Sequence, residues 1–176
     1  MNHQLNEFTP ADAEAVNQVA LSAFWQYQRE YEDWAVFSSR IGDMAALAES
    51  AEIIVARVSG RIAGAVAYVG PGKEKAACFA AEWPIMRMLV VEPDFRGMGI
   101  GRALAQACVE RAVRDAAPLI ALHTSRIMKV ALSLYERMGF RFLREAPASH
   151  GVPYGVYVKH LAEPGAAPPP TASGGG

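Results

Sequence analysis

The chain has 176 residues, the length of one ordinary domain, and 52% of them are hydrophobic, which excludes wholesale disorder and supplies a sizeable core. Seventeen Lys and Arg against eighteen Asp and Glu leave a formal net charge of −1, so no overall field draws the chain to nucleic acid or to an anionic membrane surface. Cys78 and Cys108 have no metal-ligand spacing and make no disulfide framework, the opening MNHQLNEFTP has no basic stretch leading into an apolar run, and no segment reaches the roughly eighteen apolar residues of a membrane span, so the chain reads as a cytoplasmic protein with reduced thiols.

In chain order, residues 4–8 make a short first strand, and Thr9-Pro10-Ala11-Asp12 starts a helix that runs to about residue 25. Residues 34–49 carry Phe37, Ile41, Ala45 and Ala48 at helical spacing, interrupted by Gly42. The β-branched runs 52–58 and 61–69 flank Ser59-Gly60, a hairpin signal, and Gly70-Pro71-Gly72-Lys73 follows as a loop. Residues 85–91 are a strand closed by Glu92-Pro93. The helix after it has Ile100, Leu104, Cys108 and Ala112 on its apolar stripe and Arg102, Gln106, Glu110 and Arg114 on its wet face. A buried strand (119–124), a helix (128–138) stopped by Gly139, and two last strands (140–144 and 154–160) complete a mixed α/β sheet. Residues 163–176, all Pro, Ala, Gly, Ser and Thr after Glu163, read as a disordered tail outside a single domain of residues 1–162.

The most informative stretch joins the strand 85–91 to the helix after it. Gly97, Gly99 and Gly101 alternate at the helix start, where backbone N–H groups lack helical partners and bare glycines let a phosphate approach; Arg96 and Arg102 add positive charge. A P-loop needs Lys then Ser or Thr after its last glycine, and here Arg102-Ala103 follows; a dinucleotide fingerprint needs glycine at Arg102 or at Leu104. The plainer reading is that these glycines only permit tight strand-helix packing.

The segment Arg96-Gly97-Met98-Gly99-Ile100-Gly101, preceded by Val91-Glu92-Pro93, resembles the (Arg/Gln)-x-x-Gly-x-Gly signature of the GNAT superfamily of acyl-CoA-dependent N-acyltransferases. Ala131-Leu132-Ser133-Leu134-Tyr135 with Gly139-Phe140 is similar to the family's later Ala-x-x-Leu-Tyr and Gly-Phe pattern. The resemblance implies a mixed, mostly antiparallel sheet of about six to seven strands with about four helices and a splayed central strand pair. It also implies acetyl-CoA as co-substrate, with no metal. Its pyrophosphate would lie on the amides of Gly97, Met98, Gly99, Ile100, Gly101 and Arg102 beside Arg96, its pantetheine arm along Leu89, Val90 and Val91, and its thioester in the gap toward strand 119–124, polarised by a backbone N–H of the first strand.

Acetyl transfer to an amine needs a neutral nucleophile and a proton for the departing thiolate. Tyr135 matches the family's tyrosine and is the candidate acid, the bland reading being a half-buried tyrosine beside Leu134 and Met138. Where the family often has a strand glutamate this chain has Ile85; Glu82, just upstream and steered by Trp83-Pro84, is the candidate base, or else a solvated loop carboxylate. His123, in a strand facing the gap, is a second base candidate or a core histidine, and a water chain is a third route. Met128 replaces an asparagine that in the family helps to hold the cofactor. His150, Tyr154 and the aromatics Trp25, Tyr27, Tyr31 and Trp34 are read either as acceptor-pocket wall or as packing. The histidines share no metal-ligand spacing. The expected function is N-acetyl transfer to a small-molecule or peptide amine; the alternative is an acyl-CoA-binding or sensing module with weak catalysis, and a nucleotide-dependent oxidoreductase is remoter. A homodimer is the default assembly.

Overall fold

The hairpin signal at Ser59-Gly60 folds into a turn with φ of 48° and 81°, both left-handed, as a two-residue turn between twisted strands requires. In the computed structural model, which describes residues 2–162, this turn joins the second and third of seven strands. The elements in order are β1 (His3–Glu7), α1 (Ala13–Phe24), α2 (Trp34–Ile41), β2 (Glu52–Val58), β3 (Arg61–Val69), β4 (Ile85–Val91), α3 (Ile100–Arg114), β5 (Leu119–Thr124), α4 (Lys129–Arg137), β6 (Arg141–Ser149) and β7 (Val152–His160). They form one sheet of order β1-β2-β3-β4-β5-β7-β6, antiparallel except between β4 and β5. The expected mixed sheet with a central split and four α-helices is therefore present among the described residues, and the expected tail at residues 163–176 lies outside them.

Three elements differ from expectation. The helix expected over residues 34–49 ends at Ile41: Gly42 N–H bonds the Ser38 carbonyl at 2.8 Å, Asp43 N–H turns back to the Arg40 carbonyl at 3.2 Å, and the rest is a 3-10 turn, Met44–Glu49. The last two strands are longer than expected and meet at His150-Gly151, whose φ values of 45° and 79° make a second left-handed turn. Pro147 is tolerated within β6 because that strand is at the sheet edge, where a missing N–H costs no ladder bond, and its register shifts between Ala146 and Ser149.

Each face of the sheet carries its own packing. On one face Val66, Tyr68, Met86, Ile120 and Leu122 meet the expected α3 stripe of Ile100, Leu104, Cys108 and Ala112, together with Tyr135 and Phe140. On the other, Val55, Ala65, Ala67 and Val90 pack against Val16, Val19 and Ala20 of α1 and Phe37 and Ile41 of α2. A separate patch on this second face, Val69, Ile85, Ala121 and Val156, lies under Phe79 of the β3–β4 connection. The two patches leave the sheet between them uncovered, and that is where the candidate site lies.

Gly64 sets how closely α3 approaches the sheet. A Cβ there would stand 2.9 Å from the Val90 carbonyl oxygen, 3.0 Å from Ile100 Cγ2 and 3.1 Å from Leu104 Cδ1, and the backbone oxygen cannot yield cheaply. Gly64→Val is expected to lower stability by about 1–3 kcal/mol, read as a fall in the urea midpoint at unchanged m-value.

Candidate active site at the strand split

The glycine-rich turn leads from β4 through a single 3-10 turn, Pro93–Phe95, into α3, whose N-cap is Gly99. Gly97 and Gly99 have φ of 79° and 78°, which removes any side chain from the mouth of the helix at no conformational cost. The first amide to find a helical partner is that of Ala103, which bonds the Gly99 carbonyl at 3.0 Å; the amides from Gly97 to Arg102 make no backbone bond among the described residues. A Cβ at Gly97 or Gly99 would meet nothing within 4 Å, so these glycines are not there to relieve crowding within the protein. Packing is therefore not what selects them. Arg102 stands exposed in the first turn, where no acidic residue is present, so this end of α3 pairs a cation with the positive pole of the helix dipole. A bound anion would turn both into attractions. Arg96 reaches back to the end of α1, where its Nη2 donates to the Ala23 carbonyl at 3.4 Å.

Beside this turn the sheet opens. Six residue pairs, from Leu119↔His160 to Thr124↔Gly155, tie β5 to β7, but only Ile85↔Ala121 ties β4 to β5. The cause lies in β4. Ala65 faces Val90 and Ala67 faces Arg87, so Met88 and Leu89 together oppose the single residue Val66, a bulge with Met88 at φ 57°. Beyond the bulge, the β5-facing edge of β4 through Leu89, Val90 and Val91 has no strand partner. These free backbone groups, the open helix mouth and the two arginines fit a chain of phosphates followed by an extended amide-containing arm, the chemistry of coenzyme A.

Tyr135 comes to this region from α4. Its ring is 6% exposed and meets Phe140 edge-on at 5.9 Å, and burial, with Cys108 nearby, holds its phenol well above the ordinary tyrosine range. The hydroxyl has no hydrogen-bond partner among the described residues, and the sealed, unpaired side-chain atoms are Asn6 Oδ1 and Arg111 Nε only, so the phenol oxygen keeps an open edge. The fourfold spacing places Ala131 one turn earlier on the same face.

A second group of side chains lies on the other sheet face. Arg87 and His123 each follow the single β4–β5 pair by two residues, so strand periodicity puts both side chains on one face, just past the last shared rung. Both are exposed, between the two apolar patches. The His123 ring lies 5.6 Å from that of Phe79 and 5.2 Å from that of Tyr154, one from each patch. Partial desolvation by these rings, and secondarily the charge of Arg87, lower the imidazole pKa, so His123 is neutral at pH 7.

Tyr154 shares a hydrogen bond between hydroxyls with Tyr31, which stacks on Phe37 at 3.8 Å, and the Glu32 N–H donates to the His150 carbonyl at 2.8 Å. The aromatic segment after α1 is thus fastened to the β6–β7 turn as one wall. Trp25 stands apart, 59% exposed, against Trp34. Glu82 is exposed in the loop ahead of β4, and its charge acts on Lys75, whose ammonium caps the carbonyls of Gly70, Lys73 and Ala81. The structure therefore places the β4 edge and the glycine turn beside the split, with Tyr135 in the core cluster that Leu89 and Val91 pack against and His123 on the opposite sheet face; Glu82 sits on the neighbouring loop. Sequence reasoning passed over Arg87, although a lone arginine in the apolar run Ile-Met-Arg-Met-Leu-Val-Val was a visible signal.

A broad depression of about 780 Å³ on the opposite flank of α4, lined by Arg126, Ser133, Arg137 and Arg141 among others, takes no part in this arrangement. Among the described residues no three His, Cys, Asp or Glu are grouped to hold a metal, and no helix is long and apolar enough to cross a membrane.

Comparison with known proteins agrees with this geometry. The model of the acetyltransferase (GNAT) family matches residues 15–140. A solved structure from Corynebacterium glutamicum, described as histone acetyltransferase HPA2 and related acetyltransferase, is 25% identical with a TM-score of 0.73, covering 94% of this chain and 100% of its own. The PaiA N-acetyltransferase from Thermoplasma acidophilum, solved in complex with coenzyme A, is 17% identical with a TM-score of 0.72, covering 92% of this chain and 100% of its own. No curated protein matches the chain in sequence.

Proposed function

The chain belongs to the acetyltransferase (GNAT) family, and on that premise we propose that it moves the acetyl group of acetyl-CoA to the primary amine of a small-molecule or peptide acceptor by direct attack in a ternary complex. The observation that carries this reading is the conjunction of an unpartnered β4 edge with a bare helix mouth, joined by one short turn.

In this reading the amides of Gly97 to Arg102, with the guanidiniums of Arg96 and Arg102, hold the pyrophosphate, and the free edge of β4 at Leu89, Val90 and Val91 aligns the pantetheine arm. The thioester carbonyl then lies in the split, where a β4 backbone N–H steadies the oxyanion that forms on attack. The amine gives up a proton, the new C–N bond forms, the C–S bond breaks, and the departing thiolate takes a proton from the Tyr135 hydroxyl. Burial keeps the Tyr135 phenol protonated and ready to donate, but it also makes the phenol a weaker acid than a thiol, so the proton passes to sulfur as the C–S bond breaks and the phenol regains one through solvent from the proton the amine gave up.

We assign removal of the amine proton to His123, which is neutral and stands at the acceptor face, with Glu82 as the alternative base acting through a water chain. The cytoplasmic, metal-free setting is part of the same proposal.

The reaction is tested by free-thiol release from acetyl-CoA with a panel of amines, each product checked by mass for one added acetyl group. Thermal stabilisation by coenzyme A with no thiol release from any amine would instead support the binding-module reading, which Ile85 in place of a strand glutamate favours. Tyr135→Phe is expected to lower kcat by roughly 10²-fold while the KM for acetyl-CoA stays within a factor of about three. An unchanged kcat would remove Tyr135 from the mechanism.

A further inference from the structure

The floor of the acceptor cleft is cationic in a way that neither folding nor cofactor binding explains. Arg87 interrupts an otherwise apolar strand, at a position where an aliphatic side chain would bridge the two patches on that face. No carboxylate among the described residues is within ion-pair distance of it; the ion pairs among those residues are made by Arg57, Arg111 and Arg114, all elsewhere. Its side chain makes no hydrogen bond to a described residue either. The nearby charge that acts on it is a second cation, Arg40, near the end of α2, and the titratable group beside it on β5 is the imidazole of His123. A guanidinium partly desolvated beside another guanidinium is an unfavourable arrangement for the free protein. It also lies past the thioester end of the split: Val91, where the cofactor arm would enter, is four residues further along β4.

We propose that the acceptor is a small amine carrying its own carboxylate a few bonds away, an amino acid in the chemical sense, with Arg87 gripping the carboxylate while His123 faces the amine. The proposal rests on the acetyl-transfer reading and names its substrate class. Arg87 and His123 stand only two residues past the last β4–β5 pair, where the strands have just begun to part from a paired spacing of about 4.8 Å, so they address groups a short distance apart and not the two ends of a long chain. The guanidinium presents a planar fork that matches a carboxylate in bidentate fashion. Phe79 and Tyr154 flank the imidazole and offer apolar contact to whatever side chain the amino acid bears. The same positive field disfavours polyamines and lysine-rich peptides, and it favours the neutral form of a bound amine, the form that attacks.

The test compares acceptors that differ in charge alone: amino acids with small, aromatic and acidic side chains, each beside its own carboxamide, with spermidine as the cationic reference. Thiol release is followed with the full chain and with Arg87→Gln and Arg87→Lys, each first shown to keep the wild-type melting temperature and coenzyme A affinity. For the wild type, acids are expected to exceed their carboxamides by at least about tenfold in kcat/KM, mostly through KM. Arg87→Gln is expected to bring the two within about threefold of each other, and Arg87→Lys to keep part of the preference. Carboxamides or spermidine turned over as well as the acids, or a preference that survives Arg87→Gln, would overturn the proposal and leave acetyl transfer standing. If coenzyme A stabilises the protein but no member of the panel releases thiol, acetyl transfer to small amines fails, and this inference fails with it.

Discussion

Gly99→Asp is expected to weaken coenzyme A binding by at least about 10²-fold while leaving the protein folded, because the substitution adds a charge where the ligand's charge must sit. An added Cβ at Gly99 meets no atom within 4 Å, so there is no steric reason for the fold to fail. What remains is the strain of a left-handed backbone at φ 78°, about 1–2 kcal/mol for a residue with a side chain, present whether or not ligand is bound. Affinity should respond to the charge instead. A carboxylate about 4 Å from a phosphate oxygen at an effective dielectric near 20 is repelled by about 4 kcal/mol, and salt screening leaves a substantial fraction of it. Gly99→Ala separates the two effects, carrying the same strain without the charge, and its affinity is expected to stay within about threefold of wild type. Calorimetric titration with coenzyme A, with a melting curve for each variant, reads both. Equal binding by the aspartate variant would mean that the helix mouth is not the phosphate site.

The helix mouth was legible in the sequence because its chemistry is local: alternating glycines, a preceding proline and two arginines act through backbone amides a few residues away. For the same reason the α3 stripe of Ile100, Leu104, Cys108 and Ala112 was legible, all four being buried as the 3.6-residue period requires. The acceptor cleft was less so, since it is assembled from β4, β5, β7 and the segment after α1. His123 could be named as a candidate, but its separation from the interior depends on Phe79 and Tyr154, which lie 44 residues before and 31 residues after it in the chain. The sheet face on which Arg87 lies was hidden by a different effect. The bulge at Met88–Leu89 changes which β4 residues share a face, so a regular alternation counted back from Val91 gives the wrong side for every residue before it. The extent of the β6–β7 hairpin was obscured by Pro147, whose tolerance depends on an edge position that strand order alone decides.

His123→Ala is expected to lower kcat by about 10²- to 10⁴-fold with coenzyme A affinity unchanged, since the imidazole and the phosphate site are at opposite ends of the split. The pH profile identifies the group more sharply than the rate. A base works in its deprotonated form, and both desolvation and the charge of Arg87 disfavour the imidazolium, so the acidic limb of kcat at saturating acceptor should fall below the ordinary histidine value of about 6.5. Removing the charge in Arg87→Gln relieves one of the two causes, so that limb should move upward, toward the ordinary value but short of it, because the desolvation by Phe79 and Tyr154 remains. Glu82 predicts otherwise: it is an exposed carboxylate on another loop, and the charge it acts on is that of Lys75. If Glu82 were the base, Glu82→Gln would remove the acidic limb and Arg87→Gln would leave it in place. If His123 is the base, Glu82→Gln keeps the wild-type profile and His123→Ala loses the limb, so the shape of one curve in three variants decides which side chain takes the proton.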